Sequence, residues 1–360
     1  MNQLRLDRVT DYMLQTQMGQ MLISDPASIF YLTGVWIQPG ERMLVLYLNL
    51  SGEKRLFVNG LFPIQTKDAS DLQIHYFSDT DDSISLLAEY MRDEGDIGID
   101  KTWPARFLLP LMETLSHASF INGSPAVDSV RLVKDVNEQA LMRNASELND
   151  QAMKVLASSV EDGCTELELS RLLKETYRTL GTDGISFTPI IAFGANAALP
   201  HHDSGNAPIQ PGASIICDIG CIKDDYCSDM TRTFFYKSVS EKARQVYNLV
   251  HQANLAAIAA VRPGARFCDV DAAARQVIEA GGYGAFFTHR TGHSIGMEVH
   301  EFGDVSSVNT AHLEPGMVFS IEPGIYLQNE FGVRIEDLVL VTETGCEVLN
   351  HFSKALTVIG

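Results

Sequence analysis

The chain has 360 residues and carries 46 Asp and Glu against 27 Lys and Arg, which gives a formal net charge of −19. Such acidity excludes a protein that follows a phosphate backbone and disfavours docking on anionic membranes, since both need a basic surface. Apolar residues make up 45% and charged residues 20% of the chain, a globular composition. At about 150 residues per domain, the length predicts two domains.

Targeting signals and disulfide bonds are not expected. The segment Met1–Arg8 has no apolar core of the kind that secretory signals carry, and no apolar run reaches the roughly 20 residues that a transmembrane helix needs. The six cysteines are sparse for this length and lack a C-x-x-C pair. We therefore expect reduced thiols packed in strands, and a cytoplasmic protein.

The first 125 residues alternate short apolar runs with amphipathic stretches, which predicts an α/β domain. The expected strands are Gln20–Ile23, Phe30–Leu32, Met43–Leu48, Arg55–Val58 and Asp96–Ile99. The expected helices are Asp81–Arg92 and Ala105–His117. The pattern breaks around Pro125, so we predict one domain over residues 1–125 and a second over residues 126–360.

Helical stretches dominate the first part of the second domain and return later in it. The predicted helices are Asn137–Ser158, Thr165–Leu180, Ser240–Val261 and Asp269–Ala280. The second of them opens with Thr165-Glu166-Leu167-Glu168, the pattern of a capping box.

A first β-hairpin with acidic residues lies between these helices. Ala213–Ile219 and Tyr226–Tyr236 are apolar runs, yet they contain Asp218 and Asp229. If the chain turns at Lys223-Asp224, the two carboxylates face each other directly across the hairpin. At an effective dielectric near 20 they would then repel by about 3 kcal/mol, and a cation between them would reverse the sign.

A second hairpin repeats this arrangement. Met317–Leu327 and Gly332–Val341 are joined by a turn around residue 329, and this turn is the midpoint between Glu322 and Glu336. Two acidic pairs, each symmetric about its own turn, predict one carboxylate-lined metal site rather than two solvated hairpin faces.

Imidazoles near such a site would favour a transition metal over Mg²⁺ or Ca²⁺. Thr288–Glu301 holds His289, His293 and His300 among glycines, which allow close backbone approach. Leu199–Asp203 forms a second polar cluster and includes His201.

These stretches resemble the metallopeptidases of the pita-bread fold, which include methionine aminopeptidases, aminopeptidase P and prolidase. Five metal ligands of that family have matches within motifs of this chain: Asp218 in Cys-Asp-Ile-Gly, Asp229 in Ser-Asp-Met-Thr-Arg-Thr, His293 in Gly-His-Ser-Ile-Gly, Glu322 in Ile-Glu-Pro-Gly-Ile-Tyr and Glu336 in Val-Arg-Ile-Glu-Asp. The first domain resembles the creatinase/prolidase N-terminal domain, which methionine aminopeptidases usually lack. The resemblance implies a smaller α/β domain followed by a pita-bread catalytic domain, built from pseudo-two-fold β-hairpins and flanking helices.

The resemblance also implies a two-metal hydrolase. Two divalent ions, Mn²⁺ first and Co²⁺ or Zn²⁺ as alternatives, would hold a hydroxide that attacks the scissile carbonyl. Asp229 and Glu336 would contact both ions, Asp218 one of them, and His293 and Glu322 the other. Glu322 is the candidate to pass a proton from the nucleophile to the leaving nitrogen.

Five further residues have candidate roles beside the ligands. His201 and His300 match histidines that bind substrate and stabilise the tetrahedral intermediate in the family. His289 is a weaker candidate for substrate binding. Arg334 is expected to orient a metal-bound carboxylate, and Arg290 to bind the substrate's C-terminal carboxylate. Ordinary polar loop, strand or surface positions remain the alternative for each of them.

Within the family, the short chain and the Thr288–Glu301 stretch favour prolidase, which cleaves Xaa-Pro dipeptides, and aminopeptidase P is the alternative. Metal-free creatinase-like hydrolases and peptide-binding relatives are disfavoured because the ligand set is intact. The resemblance suggests a homodimer. The loop Gln38–Arg42 resembles a loop that reaches the partner subunit's active site in bacterial prolidases, some of which have Asp and His at the positions of Gln38 and Gly40. A gating role and an ordinary polar turn therefore both stay open for it.

Overall fold

The computed structural model describes residues 1–64 and 72–360, and the chain divides into two compact units, Met1–Arg131 and Leu132–Gly360. The predicted boundary at residue 125 lies a few residues before this division and stays a prediction. Within the described ranges, none of the helices combines the length and apolar character needed to cross a lipid bilayer.

The first unit is a mixed six-stranded sheet with helices. Its strands are β1 (Gln20–Ile23), β2 (Leu44–Asn49), β3 (Lys54–Asn59), β4 (Gln73–Phe77), β5 (Asp96–Ile99) and β6 (Ser119–Asn122). The helices are α1 (Gln3–Gln15), α2 (Pro26–Thr33), α3 (Ser83–Ala88), α4 (Ala105–Thr114) and α5 (Pro125–Leu132), the last of which extends one residue past the division. The strand order is β4-β3-β2-β1-β5-β6. The prediction of a helix over residues 81–92 is confirmed only for its central part, α3.

The predicted strand Phe30–Leu32 is wrong, because these residues lie in α2. The carboxylate of Asp25 caps this helix by accepting from the Ser28 backbone N–H, Pro26 occupies its first turn, and Gly34 ends it at φ +75°. These start and stop signals outweigh the β propensity of a short apolar run.

The second unit contains the remaining elements. Its helices are α6 (Val136–Ser158), α7 (Glu166–Leu180), α8 (Glu241–Ala260) and α9 (Phe267–Ala280). Its first strands are β7 (Gly184–Ile185), β8 (Ile190–Phe193), β9 (Ser214–Ile219), β10 (Cys221–Lys223), β11 (Tyr226–Cys227) and β12 (Met230–Tyr236). The later strands are β13 (Gly292–Ser294), β14 (Glu301–Val305), β15 (Val318–Ile321), β16 (Gly324–Leu327), β17 (Phe331–Arg334), β18 (Asp337–Val341), β19 (Cys346–Val348) and β20 (Val358–Ile359).

Two similar halves make up the second unit, each with a helix pair packed on β-hairpins. Helix α6 packs against β9–β11 and α7 against β7 and β8, while α8 packs against β15–β17 and α9 against β14. Separate apolar cores fill the halves: Met153, Leu173 and Ile215 belong to the first, and Val250, Ile278 and Phe319 to the second. The predicted mixed α/β class with paired hairpins and flanking helices is confirmed.

In the first hairpin, the predicted direct pairing of Asp218 with Asp229 is wrong by two residues. Asp218 pairs with Thr231 across β9 and β12. The chain turns at Asp224-Asp225, whose φ angles of 50° and 67° fit a two-residue turn that matches the right-handed strand twist. A shift by two residues keeps both carboxylates on the same face, as diagonal neighbours.

The register predicted for the second hairpin is confirmed. Pairing of Gly324 with Arg334 in β16–β17, and of Ile321 with Asp337 in β15–β18, belongs to one continuous register. Glu322 and Glu336 occupy the facing positions in the short gap between these two strand pairs.

Candidate metal centre and its surrounding cleft

A cleft of about 580 Å³ opens in the second unit, between the two hairpin halves. All ten residues that the sequence predicted for the site line it: His201, Asp218, Asp229, His289, Arg290, His293, His300, Glu322, Arg334 and Glu336. Phe187, Ile190 and Val299 add an apolar part to its wall. The structure therefore brings every predicted site residue to one place.

Buried acidic groups and one imidazole form the floor of the cleft. Ligand atoms of Asp229, His293 and Glu336 lie within 4.8 Å of one another. The Nε2 atom of His293 is 3.7 Å from Asp229 Oδ2 and 3.5 Å from Glu322 Oε1. Carboxylate oxygens and an imidazole nitrogen at these separations can share divalent cations.

Close packing between strands holds the floor together. A Cβ atom on Gly292 would lie 1.8 Å from the Ser320 backbone oxygen, so only glycine allows β13 and β15 to approach this closely. The Ser320 hydroxyl accepts from the His293 backbone N–H at 3.0 Å and donates to Glu322 Oε1 at 3.3 Å. Ser320 thereby links two candidate ligands.

The acidic groups of the floor repel one another. Burial raises the pKa of Asp229 well above its usual range, and the nearby negative charges of Glu336 and Asp218 raise it further. Burial likewise raises the pKa of Glu336 well above its usual range and that of Glu322 to about 7. Four carboxylates in so small a buried space favour a bound cation, which offsets this repulsion.

Two carboxylate oxygen atoms of the floor have the free lone pairs that a metal ion would need. Asp218 Oδ1 and Asp229 Oδ1 are buried and accept no hydrogen bond from any described residue. An unpaired buried carboxylate oxygen is costly in a folded protein, and coordination to a cation would satisfy both atoms. The donor set of oxygen atoms and one imidazole suits Mn²⁺, Co²⁺ or Zn²⁺.

His293 is oriented as a metal ligand should be. Its Nδ1 donates to the backbone oxygen of Ser294 at 3.3 Å. The other ring nitrogen, Nε2, therefore carries a lone pair, which is directed at the acidic groups. Burial lowers the pKa of His293 to about 3, so the ring is neutral at physiological pH.

Arg334 is buried and connects the two hairpins. Its guanidinium donates to Asp218 Oδ2 at 2.6 Å, to the Thr231 hydroxyl at 3.1 Å and to the Tyr326 hydroxyl at 2.9 Å. The Thr231 hydroxyl in turn donates to Glu336 Oε2 at 2.7 Å. One arginine thus orients a carboxylate from each hairpin, either directly or through a hydroxyl.

His289 is held from both sides of its ring. Nδ1 donates to the Arg290 backbone oxygen at 2.7 Å, and Nε2 accepts from the Tyr326 hydroxyl at 2.8 Å. Burial lowers the pKa of His289 to about 4. Since both ring nitrogens have protein partners, His289 is placed as a neutral part of the wall.

Three basic residues form the exposed rim: His201, Arg290 and His300. The ring of His300 lies edge-on to that of His293, with 4.2 Å between centroids. Burial lowers the pKa of His300, and the positive charge of Arg290 lowers it further. The cleft therefore has an acidic floor and a rim that carries the Arg290 cation and two imidazoles.

Sequence reasoning missed three residues that organise the floor, namely Thr231, Ser320 and Tyr326. Thr231 is two residues from Asp229 and therefore shares its side of the strand, which is a usable signal. Ser320 is likewise two residues from Glu322, whereas its contact with His293 and the contacts of Tyr326 with His289 and Arg334 depend on partners from other parts of the chain, which no local pattern indicates.

Comparison with known proteins agrees with this arrangement. Residues 140–343 match the model of metallopeptidase family M24, and residues 5–133 match that of the creatinase/prolidase N-terminal domain. The Bacillus subtilis (strain 168) protein YkvY, provisionally named a dipeptidase, is 34% identical over 361 residues, which cover 99% of this chain and 99% of that protein.

Two solved structures are similar over nearly the whole chain. The prolidase from Thermococcus sibiricus has a TM-score of 0.93 and 32% identity, covering 99% of this chain and 98% of that one. The X-Pro aminopeptidase from Thermotoga maritima MSB8 has a TM-score of 0.81 and 29% identity, covering 95% of this chain and 98% of that one. The resemblance to pita-bread metallopeptidases with a creatinase/prolidase N-terminal domain is confirmed: this chain belongs to metallopeptidase family M24.

Proposed function

We propose that this metallopeptidase is a prolidase, which hydrolyses the Xaa-Pro bond of dipeptides with two divalent cations, Mn²⁺ foremost. The observation that carries the proposal is the convergence of four carboxylates and one imidazole, in which Asp218 Oδ1 and Asp229 Oδ1 are buried and unpaired. Asp229 and Glu336 would hold both cations, Asp218 one of them, and His293 and Glu322 the other.

Bound there, divalent cations supply a nucleophile at neutral pH and stabilise negative charge on the scissile carbonyl. Glu322 is the residue that moves the proton. Its side chain is 18% exposed toward the cleft, whereas that of Asp229 is 5% exposed, so Glu322 can reach both the nucleophile and the leaving nitrogen.

Proline makes the leaving nitrogen unusual. The Xaa-Pro bond has no N–H, so a peptidase cannot hold this bond by accepting a hydrogen bond from it. The residues of the rim provide other contacts: His201 and His300 donate to the carbonyl as negative charge develops, and Arg290 pairs with the C-terminal carboxylate. His289 borders the proline, and Arg334 keeps Asp218 in place. A reducing cytoplasm suits the six free cysteines.

Aminopeptidase P activity on longer peptides is the second candidate. The similarity to the Thermotoga maritima X-Pro aminopeptidase, though lower than that to the prolidase, supports it. A carboxylate contact at Arg290 favours dipeptides, since a longer peptide has an amide at that position.

The test compares Ala-Pro, Ala-Pro-Ala and Ala-Ala as substrates for enzyme stripped with a chelator and reloaded with Mn²⁺, Co²⁺ or Zn²⁺. We expect hydrolysis of Ala-Pro, weaker hydrolysis of Ala-Pro-Ala and none of Ala-Ala, with two metal ions per chain by elemental analysis. Rapid cleavage of the tripeptide with none of the dipeptide would instead identify aminopeptidase P. A chain that binds no divalent ion and gains no activity from any of them contradicts the proposal.

Thermal unfolding gives a readout that does not need substrate. Metal at 100 times its dissociation constant should stabilise the enzyme by about 2.7 kcal/mol, provided that it binds only the folded chain. Asp229→Ala should lose most of this gain.

A further inference from the structure

A buried carboxylate lies outside the metal centre, at the start of α7. The side chain of Glu166 is 0% exposed, and its two oxygens accept four hydrogen bonds. Oε1 accepts from the Phe193 backbone N–H at 2.8 Å and from Asn196 Nδ2 at 2.9 Å. Oε2 accepts from His202 Nε2 at 2.8 Å and from the Gly205 backbone N–H at 2.9 Å. Every lone-pair direction of this carboxylate therefore has a donor.

All four donors belong to one segment, residues 193–205, and this segment carries His201. His202 turns inward to Glu166, while its neighbour His201 lines the cleft. A further hydrogen bond joins the Leu167 backbone N–H to the Gly205 oxygen at 2.9 Å. The first turn of α7 thus holds both ends of the segment, and His201 lies between them.

The opposite side of the segment packs on the second hairpin. A Cβ atom on Gly332 would lie 1.8 Å from the Ala197 backbone oxygen, so β17 and the segment are in close contact. The segment is held by β17, by the Glu166 carboxylate and by Ser204, whose hydroxyl accepts from the Ile191 backbone N–H at 2.9 Å. Loss of the carboxylate contacts would remove only one of these constraints, and the candidate metal ligands lie outside the segment.

The geometry points to Glu166 as a positioning residue that fixes segment 193–205 and thereby aims His201 at the substrate carbonyl. This inference rests on the proposed function, since the role of His201 comes from it. A donor to a developing oxyanion acts only when it is held in the correct place, and a displacement of about 1 Å can lower the rate by about 100-fold.

The substitution Glu166→Gln tests the inference with little change in shape. An amide NH₂ replaces one oxygen. Asn196 can turn its amide and His202 can change tautomer to accept from this group, but the backbone N–H of Phe193 or of Gly205 loses its acceptor whichever way the amide is turned. In metal-loaded enzyme, we expect kcat/KM for Ala-Pro to fall by about 10- to 100-fold, mostly through kcat, with unchanged affinity for Mn²⁺.

Glu168→Gln is the matched control, because Glu168 lies in the same helical turn. Its exposed carboxylate accepts from the Thr165 backbone N–H at 2.9 Å, a contact that glutamine also makes in capping boxes. We expect kcat/KM within about twofold of wild type. An equal loss in both variants would show a general effect of helix stability and would overturn the inference.

A double-mutant cycle separates positioning from structure. If Glu166 acts through His201, then Glu166→Gln/His201→Ala is no slower than His201→Ala. Multiplied losses in the double variant would contradict this mechanism. If Glu166→Gln does not fold, His202→Leu removes one donor and provides the same cycle with a smaller effect.

Hydrogen exchange of the metal-loaded enzyme tests the contact without substrate. The backbone amide of Phe193 or that of Gly205 should exchange faster in Glu166→Gln than in wild type, and unchanged protection of both amides would overturn the inference. If the wild-type enzyme fails to cleave Ala-Pro but the exchange difference between Glu166→Gln and wild type is present, the proposed function is contradicted, while the conclusion that Glu166 fixes the segment stands. Full activity of Glu166→Gln on Ala-Pro contradicts the inference alone.

Discussion

Arg232 joins the two hairpin halves beneath the metal centre and offers a strong test of the structural reasoning. It lies in β12 and is 1% exposed, and its guanidinium donates to Asp337 Oδ1 at 2.8 Å and to the Glu336 backbone oxygen at 2.6 Å. It also donates to the Phe352 backbone oxygen at 2.8 Å. One side chain thus ties the strand that follows Asp229 to the strand that follows Glu336.

Substitution of Arg232 by Met removes all of these donors while retaining much of the side-chain volume. Breaking a buried ion pair by removing one partner costs about 3–5 kcal/mol, and the lower end of this range applies because Asp337 keeps the contact with Lys354 Nζ at 2.7 Å. For a unit of this size, each kcal/mol lowers Tm by about 2–4 °C, so the expected drop is about 6–12 °C. The backbone oxygen of Glu336 also loses the hydrogen bond that it accepts from Arg232. Because this contact helps to position a candidate metal ligand, the affinity for Mn²⁺ should fall by about 10- to 100-fold.

Arg143→Met is the matched control. Arg143 makes a bidentate contact with Glu347 at 2.7–2.8 Å, but the two side chains are 41% and 37% exposed. An exposed pair of this kind contributes about 1 kcal/mol or less. The two variants therefore compare similar hydrogen-bond geometry at different burial.

Urea unfolding with saturating metal measures the free energy of unfolding of both variants. The midpoint should shift for Arg232→Met with little change in the slope m, and it should barely move for Arg143→Met. Equal shifts, or a loss below about 1 kcal/mol for Arg232→Met, would refute the argument that burial sets the cost.

Three further predictions concern the site and the thiols. Asp229→Ala should lower the rate of Ala-Pro hydrolysis by about 10³-fold or more and reduce metal content, with an unchanged circular-dichroism spectrum; activity near wild type would contradict the metal assignment. Burial raises the pKa of Cys217 to about 12 and of Cys221 to about 11, so Ellman's reagent at pH 8 should label partly exposed Cys268 long before either of them, and equal labelling rates would be inconsistent with the packing. Burial lowers the pKa of His289 to about 4, so on acidification the unfolded chain protonates this imidazole before the folded chain does, and the free energy of unfolding falls as pH drops from about 6.5 toward about 4. In His289→Gln, the urea midpoint should depend less on pH over this range. An unchanged dependence would exclude His289 as the source.

Much of the fold was predictable because its signals are local. Helix α7 begins where its capping box predicts, with Thr165 and Glu168 exchanging hydrogen bonds. The strands of the second hairpin have the predicted register because its acidic residues are symmetric about the turn at Asn329, where φ is 63°. Apolar periodicity and turn residues act within about ten positions, and a sequence shows them directly.

Local patterns failed where two signals competed. Phe30–Leu32 is apolar enough for a strand, yet the cap at Asp25 and the glycine at position 34 make it helical. The first hairpin turns one residue later than predicted, since both Asp224 and Asp225 adopt the left-handed region, and Asp218 consequently faces Thr231. A small error in a turn moves every pair by two residues.

The sequence by itself determined which residues could carry the chemistry: acidic side chains within apolar strands are costly unless they bind something, and the family resemblance singled out His293 among the histidines of Thr288–Glu301. Only the tertiary structure decided how they act together. It placed Arg334 between Asp218 and Thr231, joined His293 to Glu322 through Ser320, and set segment 193–205 against Glu166. Apart from the Ser320–Glu322 hydrogen bond, these contacts join residues far apart in the chain, and their geometry depends on how the strands and helices pack, which no local spacing records.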